Sequence, residues 1–371
     1  MKTIFILFFV LAAANVKSQV NDNRLHSADS LLQTMYKANE PGISITIVQK
    51  GVTVFKKSYG VADISTQEKI TSSSNFNIAS LTKQFTALAI LQLEQQGKLS
   101  LEDTLSRFFP TLNKKVADEI TIKQLLTHTS GIVDSYDYTN TKNMRHAHIA
   151  DVLDAIKDVD STYFIPGSRF HYSNSGFCML ALVIEKISGM TYAGYMQKNI
   201  FNPAGMGHTV IWNENANIPF KVTAYDLDSA TNRFKVSGPD ESIFFSTEGD
   251  GGIYTSIDDY TKWFNALQSG KIFSAAIVKE ARSMQFKIEK KKMSGYGFGW
   301  FIDESSTPSK VYHSGSNGGF RTYSFTIPED GYMILIFSNR SDIDLEELMK
   351  KINDILTPGK SGFTKIEELT S

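Results

Sequence analysis

Apolar positions along this chain alternate between helical and strand periods. Arg24 to Ala38 places Leu25, Leu31, Leu32 and Met35 at helical spacing, and Pro41-Gly42 breaks the pattern. Ile43 to Val48 and Val52 to Tyr59 then read as two strands joined at Lys50-Gly51, which predicts a hairpin. A polar, turn-forming stretch from Thr71 to Asn75 leads into Asn77-Ile78-Ala79-Ser80-Leu81-Thr82-Lys83-Gln84-Phe85. That segment opens a run to about Gln96 that is apolar nearly all round (Phe85, Ala87, Leu88, Ala89, Ile90, Leu91, Leu93). Such a helix is expected to be central and buried, with Gly97 as its stop.

Beyond it, residues 98–245 show short helical patterns and loops, clearest at Val152 to Ile156, Phe177 to Ile187 and Tyr192 to Ile200. Ser256 to Gln268 reads as a helix with Ser256 as its N-cap and the acids Asp258 and Asp259 in its first turn. Strand patterns return at Gly297 to Ile302, Lys310 to His313, Phe320 to Ile327 and Tyr332 to Ser338, and Pro328-Glu329-Asp330-Gly331 makes the last turn. A final helix, about Leu345 to Ile355, ends before Pro358. Strands near both ends with helices between predict an α+β fold: one antiparallel sheet flanked by helices, with an inserted helical domain. The sheet part is expected at about residues 24–97 and 250–356, the helical part at about 98–249, and a tail at 357–371.

Composition adds a compartment and removes several functions. Residues 1–18 have a positive start at Lys2, an apolar run from Ile4 to Ala14 and a small-residue end at Val16-Lys17-Ser18, which predicts a cleaved secretory signal. The mature chain is then expected to start near Gln19, in the periplasm or secreted, without a lasting membrane anchor. Losing Lys2 and Lys17 takes the formal charge from −1 to −3, a balance that points away from nucleic acid and anionic membrane surfaces. The single cysteine, Cys178, lies in an apolar run and reads as a small buried hydrophobe, so no internal disulfide is expected.

Candidate chemistry begins at Ser80 and Lys83. Three residues apart on a helix, they share a face, and a lysine amine held neutral can take the proton of a serine hydroxyl. Tyr172-Ser173-Asn174 offers a phenol able to relay protons beside positive groups, and an amide able to hold Lys83 or grip a substrate carbonyl. Tyr138-Thr139-Asn140 repeats that spacing in a polar stretch and reads as a loop. His313-Ser314-Gly315-Ser316 follows a strand. There Gly315 is expected to admit a ligand close to the backbone, and the N–H groups of Ser80 and Ser316 are expected to face an oxyanion. Of the other histidines, His146 and His148 lack a third ligand cluster, so no metal is assigned, and His128 reads as a structural hydrogen-bonder at a helix end. No G-x-S-x-G elbow surrounds any serine, and Gly249-Asp250-Gly251-Gly252 reads as a flexible loop, not a phosphate cradle.

Taken in order, Ser80-x-x-Lys83, Tyr172-x-Asn174 and His313-x-Gly315 resemble the serine β-lactamase and penicillin-binding-protein superfamily, in the tyrosine version of class C β-lactamases, D-alanyl-D-alanine carboxypeptidases and related esterases. Pro41-Gly42-Ile43-Ser44, Leu125 to Ile132, Pro203 to Met206 and Gly251 to Tyr254 look similar to that family as well, so the resemblance covers roughly residues 40–340. It implies a serine hydrolase that cleaves an amide or ester through an acyl-serine, with Ser80 as nucleophile, Lys83 as base and Tyr172 as proton shuttle. By the same resemblance Asn174 positions a small-molecule or peptide substrate, such as a D-amino-acid peptide, β-lactam or ester. No cofactor is implied, and a monomer is expected. A penicillin- or peptidoglycan-binding module without catalysis is the alternative. His313 stands where the class C pattern usually has lysine. If it faces the substrate, its proton is expected to modulate activity between about pH 5.5 and 7.5.

Overall fold

The structure is a computed structural model that describes residues 22–139, 146–237, 243–288 and 294–356. The signal segment 1–18, the tail 357–371 and Asn140 lie outside the described residues.

Helix α1 (Asp22–Met35) precedes strands β1 (Ile43–Gln49) and β2 (Val52–Tyr59). The turn between them takes positive φ at both Lys50 and Gly51, as a two-residue hairpin requires. Helix α2 (Thr82–Gln95) follows a 3-10 turn, Ala79–Leu81, and Gly97 ends the helix at φ +69°. The middle of the chain holds α3 (Ile122–Leu126), α4 (Asn174–Ser188) and α5 (Ile257–Ser269) among shorter helical turns. Ser256 caps α5 by accepting from the Asp259 N–H at 3.1 Å. Strands β3 (Phe286–Lys287), β4 (Ser294–Tyr296), β5 (Phe301–Asp303), β6 (Lys310–Asn317), β7 (Phe320–Ile327) and β8 (Tyr332–Ser338) come next, and α6 (Leu345–Leu356) closes the described chain.

These eight strands form one antiparallel sheet in the order β2-β1-β8-β7-β6-β5-β4-β3. Both ends of the chain therefore supply it, as expected. The central strand β8 is buried along its whole length, which explains its unbroken Met333 to Phe337 apolar run. Alternation sorts the side chains by face. Ile43, Ile45, Ile47, Ile334 and Ile336 pack with α1 and α6 on the outer face. Leu335 and Phe337 pack on the inner face, in the large core that α2, α4 and α5 share.

Two expectations change. The stretch read as one strand at Gly297 to Ile302 is mostly a turn: Gly297 and Gly299 reverse the chain between β4, which ends at Tyr296, and β5, which starts at Phe301. Gly299 sits at φ +88°, with the Lys83 carbonyl only 2.8 Å from where a Cβ would lie, so this turn packs directly against α2. The middle stretch is also not wholly helical. A hairpin, Tyr225–Asp228 with Arg233–Val236, sits in it, and the Tyr225 N–H donates to the carbonyl of Asn339 just past β8.

Candidate active site

Ser80 does not lie in α2 itself but in the 3-10 turn before it. The preceding Ala79 is buried and left-handed at φ +48°, a conformation that costs an alanine roughly 1 kcal/mol or more. Neighbouring strands hold it there. Thr322 on β7 donates its hydroxyl to the Ile78 carbonyl at 2.9 Å, and the Asn77 amide oxygen accepts from the Ala79 N–H at 2.8 Å. Gly315 on β6 completes the clamp, because a Cβ there would lie 2.5 Å from the Ile78 carbonyl oxygen. This corrects the expectation for Gly315: the space it leaves admits the chain's own backbone beside Ser80, not a ligand.

Lys83 is fully buried, and its amine lies within hydrogen-bonding distance of three oxygens. The distances are 3.0 Å to Ser80 Oγ, 2.8 Å to Asn174 Oδ1 and 2.9 Å to the Asp250 carbonyl. Two of these, an amide oxygen and a carbonyl, can only accept. Ser80 Oγ alone can also donate. A charged amine would donate to all three, whereas a neutral amine would donate to two and take the serine proton on its lone pair. Asn174 reaches Lys83 from the first turn of α4, where Ser173 caps the helix by accepting from the Gly176 N–H at 3.0 Å.

Tyr172 stands between the walls of the site. The Lys83 amine lies 4.9 Å from the centre of its ring, close enough for a cation–π attraction. The ring is parallel to Phe301 at 6.4 Å and rests on His128 at 4.2 Å. No hydrogen bond joins Tyr172 to Ser80 or Lys83, so packing sets the position of the phenol. His128 follows α3 at φ +57°, and its Nδ1 accepts from the Ser173 N–H at 3.0 Å. Burial first, and Lys83 second, push its pKa well down, so the ring is neutral. The structural role expected for His128 matches this position.

His313 departs from expectation. Only 1% of it is exposed, and both ring nitrogens are engaged. Nδ1 lies 2.6 Å from the Ser314 carbonyl, which can only accept, so that nitrogen carries the proton. Nε2, 3.1 Å away, then accepts from the Tyr296 hydroxyl. Burial, with Lys83 adding to it, lowers the pKa to about 3. This residue forms part of the wall behind Tyr172, at 6.1 Å ring to ring, and is not a titrating contact for substrate.

Ser316 is exposed on β6, paired across the ladder with Arg321. Strand β5 pairs only with Lys310 to Tyr312, which leaves the rest of that β6 edge without a strand. The two-residue turn at Gly318-Gly319 makes Asn317 and Phe320 a hydrogen-bonded pair, so the alternating pattern directs the Ser316 N–H to the open edge.

Three neighbours carry no cue in the residue pattern. Asp250 presents the carbonyl that holds Lys83, in a loop expected to be flexible. Positive φ at Gly249 and Gly252 instead folds that loop tightly onto α4, where a Cβ on Gly249 would meet the Phe177 carbonyl at 2.5 Å. Tyr136 brings its hydroxyl to 3.5 Å from the Asn174 amide nitrogen, and Ala79 supplies the strained turn. The second Y-x-N is not part of this set, since Tyr138 is exposed. His146 packs against Trp212, and His148 starts the helix Ile149–Ile156, capped at its N–H by Asp151.

A helix-flanked antiparallel sheet with a serine and a buried lysine at its cleft defines the β-lactamase and transpeptidase fold class. The chain belongs to the Beta-lactamase family, whose pattern it matches over residues 28–355. It is 29% identical over 340 residues to protein flp of Staphylococcus aureus, covering 90% of this chain but only 66% of that protein's length. It is 28% identical over 350 residues to penicillin-binding protein 4* of Bacillus subtilis, covering 90% of this chain and 76% of that one. Among solved structures, the octameric penicillin-binding protein homologue from Pyrococcus abyssi superposes with a TM-score of 0.77 at 27% identity, over 90% of this chain and 77% of that one.

Proposed function

We propose that the protein is a serine hydrolase that opens an amide or ester bond through an acyl intermediate on Ser80. The observation that carries this reading is the Lys83 amine, buried and 3.0 Å from Ser80 Oγ. In the proposed sequence, Lys83 takes the hydroxyl proton as Ser80 Oγ attacks the substrate carbonyl. The carbonyl oxygen becomes an oxyanion, met by the N–H groups of Ser80 and Ser316. As the bond to the amine or alcohol breaks, Tyr172 protonates the departing group and is resupplied by Lys83, so the serine proton leaves with it. Water reverses the steps and frees the serine. Asn174 holds Lys83 at 2.8 Å and offers its amide to the substrate.

The substrate proposed is a small molecule or peptide: a D-amino-acid peptide, a β-lactam or an ester. A neutral His313 provides no cation on its wall, which favours a substrate without a carboxylate at that position. Action as a monomer is part of the proposal, and the charged, apolar, small-residue order of residues 1–18 supports export. N-terminal sequencing of exported protein that begins near Gln19 would agree with that, and a retained Met1 would not.

Labelling with a fluorophosphonate and a fluorescent penicillin, followed by turnover of a chromogenic ester, tests the mechanism. Labelled wild type with turnover, and neither in Ser80→Ala, is the expected result. Labelling without turnover would establish a binding or sensing module instead, and an adduct on any other residue would remove Ser80 from its role. Ser80→Ala should fold normally, with a stability change of about 1 kcal/mol or less.

A further inference from the structure

Burying the Lys83 ammonium takes a charge out of water, and all three of its hydrogen-bond partners are neutral. Among the described residues no carboxylate forms a direct ion pair with it. A buried cation in such a setting is strongly disfavoured unless an anion is nearby. The loop that supplies one of those partners also carries a buried carboxylate, that of Asp250.

Residues 249–252 are fastened to α2 by two successive carbonyls. Gly249 accepts from the Thr86 hydroxyl at 2.7 Å, and Asp250 accepts from Lys83 at 2.9 Å. Lys83 and Thr86 are three apart, on one face of α2. The Asp250 side chain, only 7% exposed, turns to α4, where the Cys178 thiol donates to Oδ1 at 3.3 Å. Burial, followed by the charge of Asp250, raises the Cys178 pKa well above its usual value, so the thiol keeps its proton and serves as a donor.

We propose that Asp250 is a positioning residue for Lys83: its main-chain carbonyl fixes the amine beside Ser80, and its buried carboxylate is the amine's counter-ion. The inference rests on reading Lys83 as the base. Burial raises the Asp250 pKa, and attraction to Lys83 works the other way, so the two charges support each other. The remaining groups around the pair are the Tyr136 and Tyr192 hydroxyls, which feel the Asp250 charge, and Glu248, pushed up to about 7 by burial and by Glu185. His128 and His313 face Lys83 as neutral rings. An ionised Asp250 attracts a positive charge on the amine, and an uncharged residue at 250 would not.

Asp250→Asn isolates that effect, because it keeps the size, the main-chain carbonyl and an acceptor for the thiol. The acid limb of the kcat/KM profile is expected to move down by about one pH unit, worth roughly tenfold at pH values well below the wild-type limb. Cys178→Ala removes the donor that stabilises the carboxylate, and should shift the limb the same way by less. A second readout does not depend on turnover: the Nζ resonance of Lys83 in 15N-lysine-labelled protein, assigned by its loss in Lys83→Arg. It should titrate at lower pH in both variants. Wild type without turnover would refute the hydrolase reading and leave this titration as the test. If Asp250→Asn fails to fold, Cys178→Ala decides. A lower kcat at all pH values, with limb and resonance unmoved, would overturn the proposal and leave Asp250 a purely structural part.

Discussion

Lys83 and His313 are both basic, both buried and both beside Tyr172, yet their surroundings treat them oppositely. Lys83 meets three oxygens, one of them a hydroxyl that can give its proton back. His313 meets a carbonyl and a phenol that together fill both ring nitrogens of the neutral tautomer. The first arrangement accommodates an amine with or without its extra proton. The second holds the neutral imidazole: the Tyr296 hydroxyl could turn to accept, but burial and the nearby Lys83 disfavour a second ring proton. The difference teaches that residue type alone does not make a titrating site. The oxygens gathered around the group, its burial and the charge beside it do.

The largest expected effect sharpens this contrast. Lys83→Ala should lower kcat/KM by roughly two to four orders of magnitude, the usual worth of a general base. His313→Asn, which removes a buried ring, should cost roughly tenfold or less, through looser packing of Tyr172. Chromogenic-ester kinetics on the two variants checks both. Equal losses would mean that the walls of the site contribute alike, and the distinction would fail.

Next in size is Gly315, the joint between the two walls. Gly315→Ala puts a methyl 2.5 Å from the Ile78 carbonyl and 3.0 Å from the Ala79 Cβ, both backbone or nearly so and unable to give way cheaply. Overpacking of this kind costs about 1–3 kcal/mol. Urea melts should show that loss, and ester turnover should fall with it because the Ser80 turn moves. A variant with wild-type stability would show that β6 and the Ala79 turn are not wedged together.

What the chain disclosed in advance follows the same line. Periodicity exposed the strands and the long helices, because burial on one face writes a repeating pattern into the residues. Ser80, Lys83 and Asn174 were legible as a set, since their spacing or their place at a helix start dictates where they point. Asp250 was not, because its contribution to Lys83 is a carbonyl that every residue possesses. Neither was the burial of His313. That depends on Tyr296, which lies just before the stretch read as one strand and reaches His313 because Gly297 and Gly299 turn the chain so that β4 and β5 pair. The strain at Ala79 was equally invisible, for it is imposed by Thr322 and Gly315, more than two hundred residues away.

The effect smallest at any one pH step concerns stability and pH, and it tests the locked state of His313 directly. In the unfolded chain an imidazole binds a proton below about pH 6.5. In the folded protein burial holds His313 neutral down to about 3. Between those values the unfolded state carries the extra proton, so stability rises with pH across this window and is level above it. One such group contributes a slope of up to about 1.4 kcal/mol per pH unit, and His128, neutral for the same reason, adds its own. His313→Gln keeps a donor and an acceptor but cannot titrate. It should therefore reduce the slope between about pH 4 and 6 by one group's share while leaving the curve above pH 7 parallel to wild type. Activity should show no inflection between pH 5.5 and 7.5 that depends on His313. Denaturant melts at several pH values decide the matter. If the variant keeps the wild-type slope, His313 gains its proton in the folded state as readily as in the unfolded one, and the neutral wall behind Tyr172 does not exist.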